Sequence, residues 1–373
     1  MDNSRKHWLD NLRWVTVVLV LIYHVIYFYN NKGVFGGVGG FVDDPTKQPQ
    51  DVVMYILYPW FMMLLFLVAG ISARYSLATK SGKAFLKSRT LKLLVPSTIG
   101  LLVFQWMVGY FNTAVVKPFA DAPLAVRWLL YAFSGIGPLW FIQDLWLMSL
   151  LLVLVRKIDG RDRFWNLCGR IPTWGIVLLG VLVWLGSQTL IMNPRLESLD
   201  GLYNLYKPLA YFIPFLLGYF VFSHDAVMDK VERIRVRMLI CAVAACVALV
   251  KTGWGKTNTD PQFLSGWLNC LYAWVAILAM LGCFRAWADK TNAFCRYMTR
   301  SSYGIYIVHY LVVASLGYMM KFYTTLAPWA MYVILMVAVL LLSPALYEVL
   351  RRIPFVRWCV LGIKKPLRTS TPS

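Results

Sequence analysis

The chain has 373 residues, 59% apolar and 14% charged, against roughly half apolar and about a quarter charged in an average soluble domain. That composition excludes a soluble globule. Lys and Arg number 37 against 17 Asp and Glu, a net charge of +20, but cations gathered at the ends of long apolar runs read the charge asymmetry of a membrane rather than a nucleic-acid backbone.

A helix needs about 20 mostly apolar residues to cross a hydrocarbon core. Ten runs qualify or nearly qualify: Leu12–Tyr29, Val52–Tyr75, Leu91–Phe111, Leu139–Val155, Trp174–Met192, Pro208–Phe222, Met238–Val250, Trp267–Trp287, Tyr303–Met320 and Trp329–Leu350. The sixth and seventh are short, and Pro214 is expected to kink the sixth; if both are re-entrant, eight crossings remain. The expected fold is an all-α polytopic membrane protein of about ten transmembrane helices, forming one integral-membrane domain over 1–363 with a basic tail over 364–373. Assigning Lys and Arg to alternate loops gives 28 on one side and nine on the other, which places both termini in the cytoplasm. The seven Cys residues are scattered without a CxxC pair or a nearby His, so neither a disulfide framework nor a metal site is expected.

An ionisable side chain within a span costs a few kcal/mol on insertion scales, so each is a candidate functional group. In the first span, LDNLRWVTVVLVLIYH, Arg13 falls at the cytoplasmic edge and His24 eleven residues later. At 1.5 Å per residue they lie roughly 16 Å apart along one face. Asp10 can pair with Arg13 across three residues. In GPLWFIQDLWLM, Asp144 enters the fourth span beyond Trp140; it either fixes the tautomer of a His on another helix or is satisfied by hydroxyls or Arg127. His309, in SSYGIYIVHYL, is either a second site residue or a group bonded among Tyr303, Tyr306 and Tyr310.

The segment RYSLATKSGKAFLKSRTLKLLVP places six cations in 19 residues before Pro96. Most of its lysines suit topogenic charge against anionic lipid, while Arg74 and Arg89 offer the bidentate grip that a phosphate-rich ligand favours. Cytoplasmic cations, a mid-span His and a buried carboxylate together suit acyl transfer from an acyl-CoA such as acetyl-CoA or succinyl-CoA, consumed as donor substrate rather than bound permanently. The acceptor hydroxyl would arrive from outside. Trp128, Trp140, Tyr203 and Tyr206 are candidate sugar-stacking groups in the outer loops. The alternative is a transporter or exporter in which His24 and Asp144 relay protons; nucleic acid is not an expected partner.

At these residues the chain resembles the acyltransferase-3 family of integral-membrane acyltransferases, which O-acylate bacterial surface glycans. The resemblance rests on LDNLRWVTVVLVLIYH, FLVAGISARYS, SRTLKLLVP, PLWFIQDL and SYGIYIVH. It departs from the family where Lys92 replaces a common Arg and Ala69-Gly70 a common Ser-Gly. The likeness implies a multi-pass protein of the bacterial cytoplasmic membrane acting on an extracytoplasmic glycan or lipid-linked acceptor, with His24 as catalytic base and Arg13, Arg74 and Arg89 on the acyl-CoA; beside these, Asp144 is expected to support the base, and Trp140 and His309 to line the acceptor pocket.

Overall fold

The computed structural model describes residues 6–30, 38–42, 48–115, 121–191 and 208–364. Met192, Arg195, Tyr203, Tyr206, most of the 31–51 loop and the tail from Lys365 lie outside the described residues. Among the described residues the regular structure is helical, with no strand. The principal helices are α1 (His7–Phe28), α2 (Asp51–Thr79), α3 (Gly82–Thr113), α4 (Leu124–Ser134), α5 (Leu139–Ile158) and α6 (Arg163–Cys168). They continue as α7 (Thr173–Leu190), α8 (Pro208–Phe220), α9 (Asp225–Gly253) and α10 (Trp267–Trp287), and end with α11 (Ala293–Tyr323), α12 (Pro328–Leu350) and α13 (Pro354–Cys359).

Eight of these are long and apolar enough to cross a membrane: α1, α2, α3, α5, α7, α10, α11 and α12. The two remaining expected spans are the two that are short in sequence. The first is α8, a 13-residue helix containing Pro214. The apolar run Met238–Val250 is the second half of the 29-residue α9. No Pro or Gly separates that run from the charged turns before it, so the helix begins at Asp225. For the same reason α11 starts ten residues before Tyr303, where Asn292 Oδ1 accepts from Cys295 N at 2.8 Å and caps it.

The chain forms two compact units, Met1–Tyr23 with Thr46–Phe85 and Leu147–Arg300, and His24–Pro45 with Leu86–Trp146 and Ser301–Ser373. In the first, α2 packs against α8 and α10, and α9 pairs with α10. Lipid supplies little drive to bring apolar helices together, so close backbone approach through small residues does the work. Gly70 of α2 faces the Phe215 carbonyl of α8, and Gly218 of α8 faces the Leu67 carbonyl of α2; a Cβ at either would overlap that oxygen. The start of α1 is fastened by Asn11 Nδ2, which donates to the carbonyls of Ala288 and Lys290 at 2.7 Å each. Asp289 Oδ1 accepts from Trp8 N at 2.9 Å.

In the second unit, Pro96 removes the N–H that would bond the Lys92 carbonyl four residues back. The helix widens into a π turn over Thr90–Leu94, and Tyr303 Oη of α11 donates to that freed carbonyl. Hydroxyls satisfy the neighbouring carbonyls, Ser97 Oγ donating to Leu93 O at 2.8 Å and Thr98 Oγ1 to Leu94 O at 2.6 Å. Gln143 Nε2 donates to Ser97 O at 3.1 Å and Trp146 Nε1 to Thr90 Oγ1 at 3.1 Å, stitching the first turns of α5 to the widened stretch.

Gly218→Val should lower thermal stability by about 1–3 kcal/mol, the usual cost of forcing added atoms into a packed contact. Gly160→Ala, where the nearest atom to a Cβ is Lys157 O at 3.5 Å, should be near neutral. Thermal unfolding of the detergent-solubilised protein checks both.

Candidate active site

The second unit gathers the two histidines that sequence analysis singled out separately. His24 Nδ1 and His309 Nε2 lie 2.9 Å apart, with ring centroids 5.0 Å apart and planes inclined by 29°. His309 Nδ1 is 2.6 Å from the Tyr306 carbonyl, one turn back on α11. Tyr310 stands edge-on to both rings, at 4.7 Å from His24 and 5.0 Å from His309. Both residues are buried, His24 at 8% exposure and His309 with none.

The turn before α5 supports this pair. Gly137 has φ +35, and a Cβ there would sit 2.7 Å from the Tyr310 ring, so the close approach and the backbone both call for glycine. Tyr306 Oη donates to Pro138 O at 2.7 Å, and Phe141 stands edge-on to Tyr306 at 5.8 Å. Trp140 is half-buried and edge-on to Phe141 at 6.3 Å. GPLWF is therefore a packing surface for the tyrosines flanking His309. Sequence analysis left Tyr306 and Tyr310 as bland neighbours of His309; their signal was the spacing that puts them three residues before and one after it.

The place expected of Asp144 beside an imidazole is taken by His309, whose Nε2 meets His24 Nδ1. Asp144 is buried on α5, and among the described residues its Oδ2 has no hydrogen-bond partner. Arg127 is turned to its own loop, donating to Ala122 O at 3.3 Å. Arg89 lies half-buried on α3, one turn before Lys92.

The other cations belong to the first unit. Arg13 Nη1 donates to Asp10 Oδ1 at 3.3 Å, as the spacing predicts, and Nη2 donates to Ser72 Oγ of α2 at 2.7 Å. Arg74 is 5% exposed. Its Nη1 and Nη2 donate to the two oxygens of Asp162 at 2.7 and 2.9 Å, and its guanidinium lies 4.0 Å over the Trp165 ring. Tyr219 Oη accepts a longer bond from Nη1 at 3.3 Å. Asp159 builds the platform by accepting from Phe164 N and Trp165 N at 2.9 and 3.0 Å, which opens α6. His224 stacks on the far side of the arrangement, 3.8 Å from the Trp165 ring. Arg74 is thus held by an internal carboxylate, and an anionic ligand reaches its Nη pair only by displacing Asp162. Sequence analysis did not find Asp162 or Trp165.

The hydrogen bonds from Arg74 pull the Asp162 carboxyl pKa below its ordinary value, against a smaller opposing effect of burial. The folded pKa lies below the unfolded one, so the pair stabilises the chain above about pH 3.9 and loses that contribution as pH falls through the folded value. Asp162→Asn should therefore lower thermal stability at pH 7, and the gap to the parent should close below about pH 4. A gap independent of pH would show that the carboxylate charge does not matter.

Eight helices apolar enough to span a bilayer, two of which bring buried imidazoles into direct contact, make this a polytopic membrane protein. A family profile described as "Acyltransferase domain" matches residues 6–348, and the chain belongs to that acyltransferase-3 family. It is an acyltransferase that moves groups other than aminoacyl groups. No curated protein and no solved structure matches the chain.

Proposed function

We propose that this membrane acyltransferase moves an acetyl or succinyl group from cytosolic acyl-CoA to a hydroxyl of an extracytoplasmic glycan or lipid-linked acceptor, in the cytoplasmic membrane of a bacterium. The observation that carries the reading is the His24–His309 contact. An imidazole with a hydrogen-bonded orienting partner has the make-up of a general base.

In this reaction His24 takes the proton of the acceptor hydroxyl. The oxygen attacks the thioester carbonyl, the new C–O bond forms as the C–S bond breaks, and coenzyme A leaves as a thiol with the proton that His24 returns. Arg13, Arg74 and Arg89 are the proposed donor contacts, Arg74 once a phosphate exchanges with Asp162. Asp144 is proposed to support the base, and Trp140 and His309 to line the acceptor side. A proton-relaying transporter gains no support, since the family assignment is to acyl transfer.

His24→Ala should remove acyl esters from the cell-envelope glycans, read by mass spectrometry, at unchanged protein level; persistent esters would relieve His24 of its role. Arg89→Gln should raise the donor KM roughly tenfold or more with a lesser change in kcat, as for loss of one charge-assisted hydrogen bond of about 1.5–3 kcal/mol. An unchanged donor KM would leave Arg89 a topological charge.

A further inference from the structure

We infer that His309 is a positioning residue that fixes His24 as its Nδ1–H tautomer, so that Nε2 is the nitrogen that takes the acceptor's proton. The inference rests on the reading of His24 as the base and specifies how that base is set.

The tautomer is set from a backbone atom. A carbonyl oxygen can only accept, so the 2.6 Å contact between His309 Nδ1 and Tyr306 O requires the proton on Nδ1. A neutral imidazole carries one N–H, which leaves His309 Nε2 as an acceptor. That acceptor lies 2.9 Å from His24 Nδ1, and a bond between two ring nitrogens needs one proton, so His24 Nδ1 is the donor. The lone pair of His24 is thereby placed on Nε2. One carbonyl, through two rings, settles which nitrogen does chemistry.

The geometry holds this assignment in place. Swapping the tautomer of His24 while keeping the bond would require His309 to carry protons on both nitrogens, an unpaired cation in a residue with no exposure. Rotating His309 to release Tyr306 O is opposed by Tyr310, edge-on to the ring at 5.0 Å, which is itself backed by Gly137. When His24 accepts a proton at Nε2, its Nδ1–H still points at His309 Nε2, and that lone pair shares the positive charge. The arrangement performs the orienting job that a carboxylate performs for a catalytic His elsewhere, without a resting charge in an apolar interior.

The test is nitrogen NMR of the full chain labelled with 15N-histidine in nanodiscs, the rings assigned from spectra of His24→Gln and His309→Gln. The expected result is protonated Nδ1 and unprotonated Nε2 on both rings, with a coupling across the His24 Nδ1 to His309 Nε2 bond. A protonated Nε2 on His24, or two protonated nitrogens on His309, overturns the inference. Kinetics add a second reading. His309→Leu should lower kcat by about 10²–10⁴-fold, the range for loss of a correctly set general base, at an unchanged donor KM. His309→Gln, whose amide oxygen can accept from His24 Nδ1, should recover most of it. Equal loss in both variants also overturns the inference. The spectrum is read without turnover, so an inactive parent would count against acyl transfer while leaving the tautomer answered.

Discussion

The hydrogen bond between His24 and His309 is the interaction on which the second unit depends. In a bilayer no water reaches a buried ring nitrogen, so polar groups on one helix must find partners on another. The pairing fixes the last turn of α1, from His24, against the Ser301–Tyr323 stretch of α11 at one register. Tyr29, five residues beyond His24, repeats the arrangement by donating to Val313 O and Ala314 O at 3.1 and 3.0 Å. Gly317 leaves room for the Tyr29 ring, Phe41 stacks on it at 4.3 Å, and Tyr332 Oη donates to its carbonyl. Two successive polar rivets, one on the His309 ring and one on backbone carbonyls of α11, hold the imidazoles where an apolar interface alone would allow sliding.

The first unit solves a different problem, how to bury a permanent cation. Arg74 cannot shed its proton, so it takes a planar carboxylate along the guanidinium edge and an indole across its face. Asp162 is the partly exposed member, at 38% of its side chain, and its backbone takes a left-handed turn with φ 54. The pair therefore sits where an exchanging anion can compete for it. A cation already held in ligand-binding shape by an internal carboxylate needs little reorganisation to receive a phosphate in its place.

Much of this was legible in the sequence because lipid imposes a simple length and composition rule. The eight long apolar helices are found where the runs place them, and the two short runs are the ones that the structure resolves differently, as the 13-residue α8 and as half of α9. His24, His309, Arg13 and Arg74 were visible as polar groups in apolar surroundings. Their partners were not. Asp162 lies 88 residues from Arg74, in a loop that cation counting assigns to the same side as Arg74, but acidic residues carry little weight in that count. The link between the histidines spans 285 residues and leaves no periodic trace. Asp144 drew attention as a carboxylate able to orient an imidazole, whereas a second imidazole fills that place. The π turn before Pro96 follows from the proline, yet the phenol that satisfies the freed carbonyl comes from Tyr303, 211 residues away.

The central claim is that His24 hands a proton between an alcohol and a thiol while an acyl group passes from one side of a membrane to the other. Proteoliposomes with radiolabelled acetyl-CoA on the cytoplasmic face alone and a hydroxyl-bearing oligosaccharide in the opposite compartment test it most directly. The account predicts labelled ester in the far compartment, equal in amount to the coenzyme A thiol released, and neither product with His24→Gln. Ester formed at the parent's rate by that variant, or thiol released without ester, would contradict it.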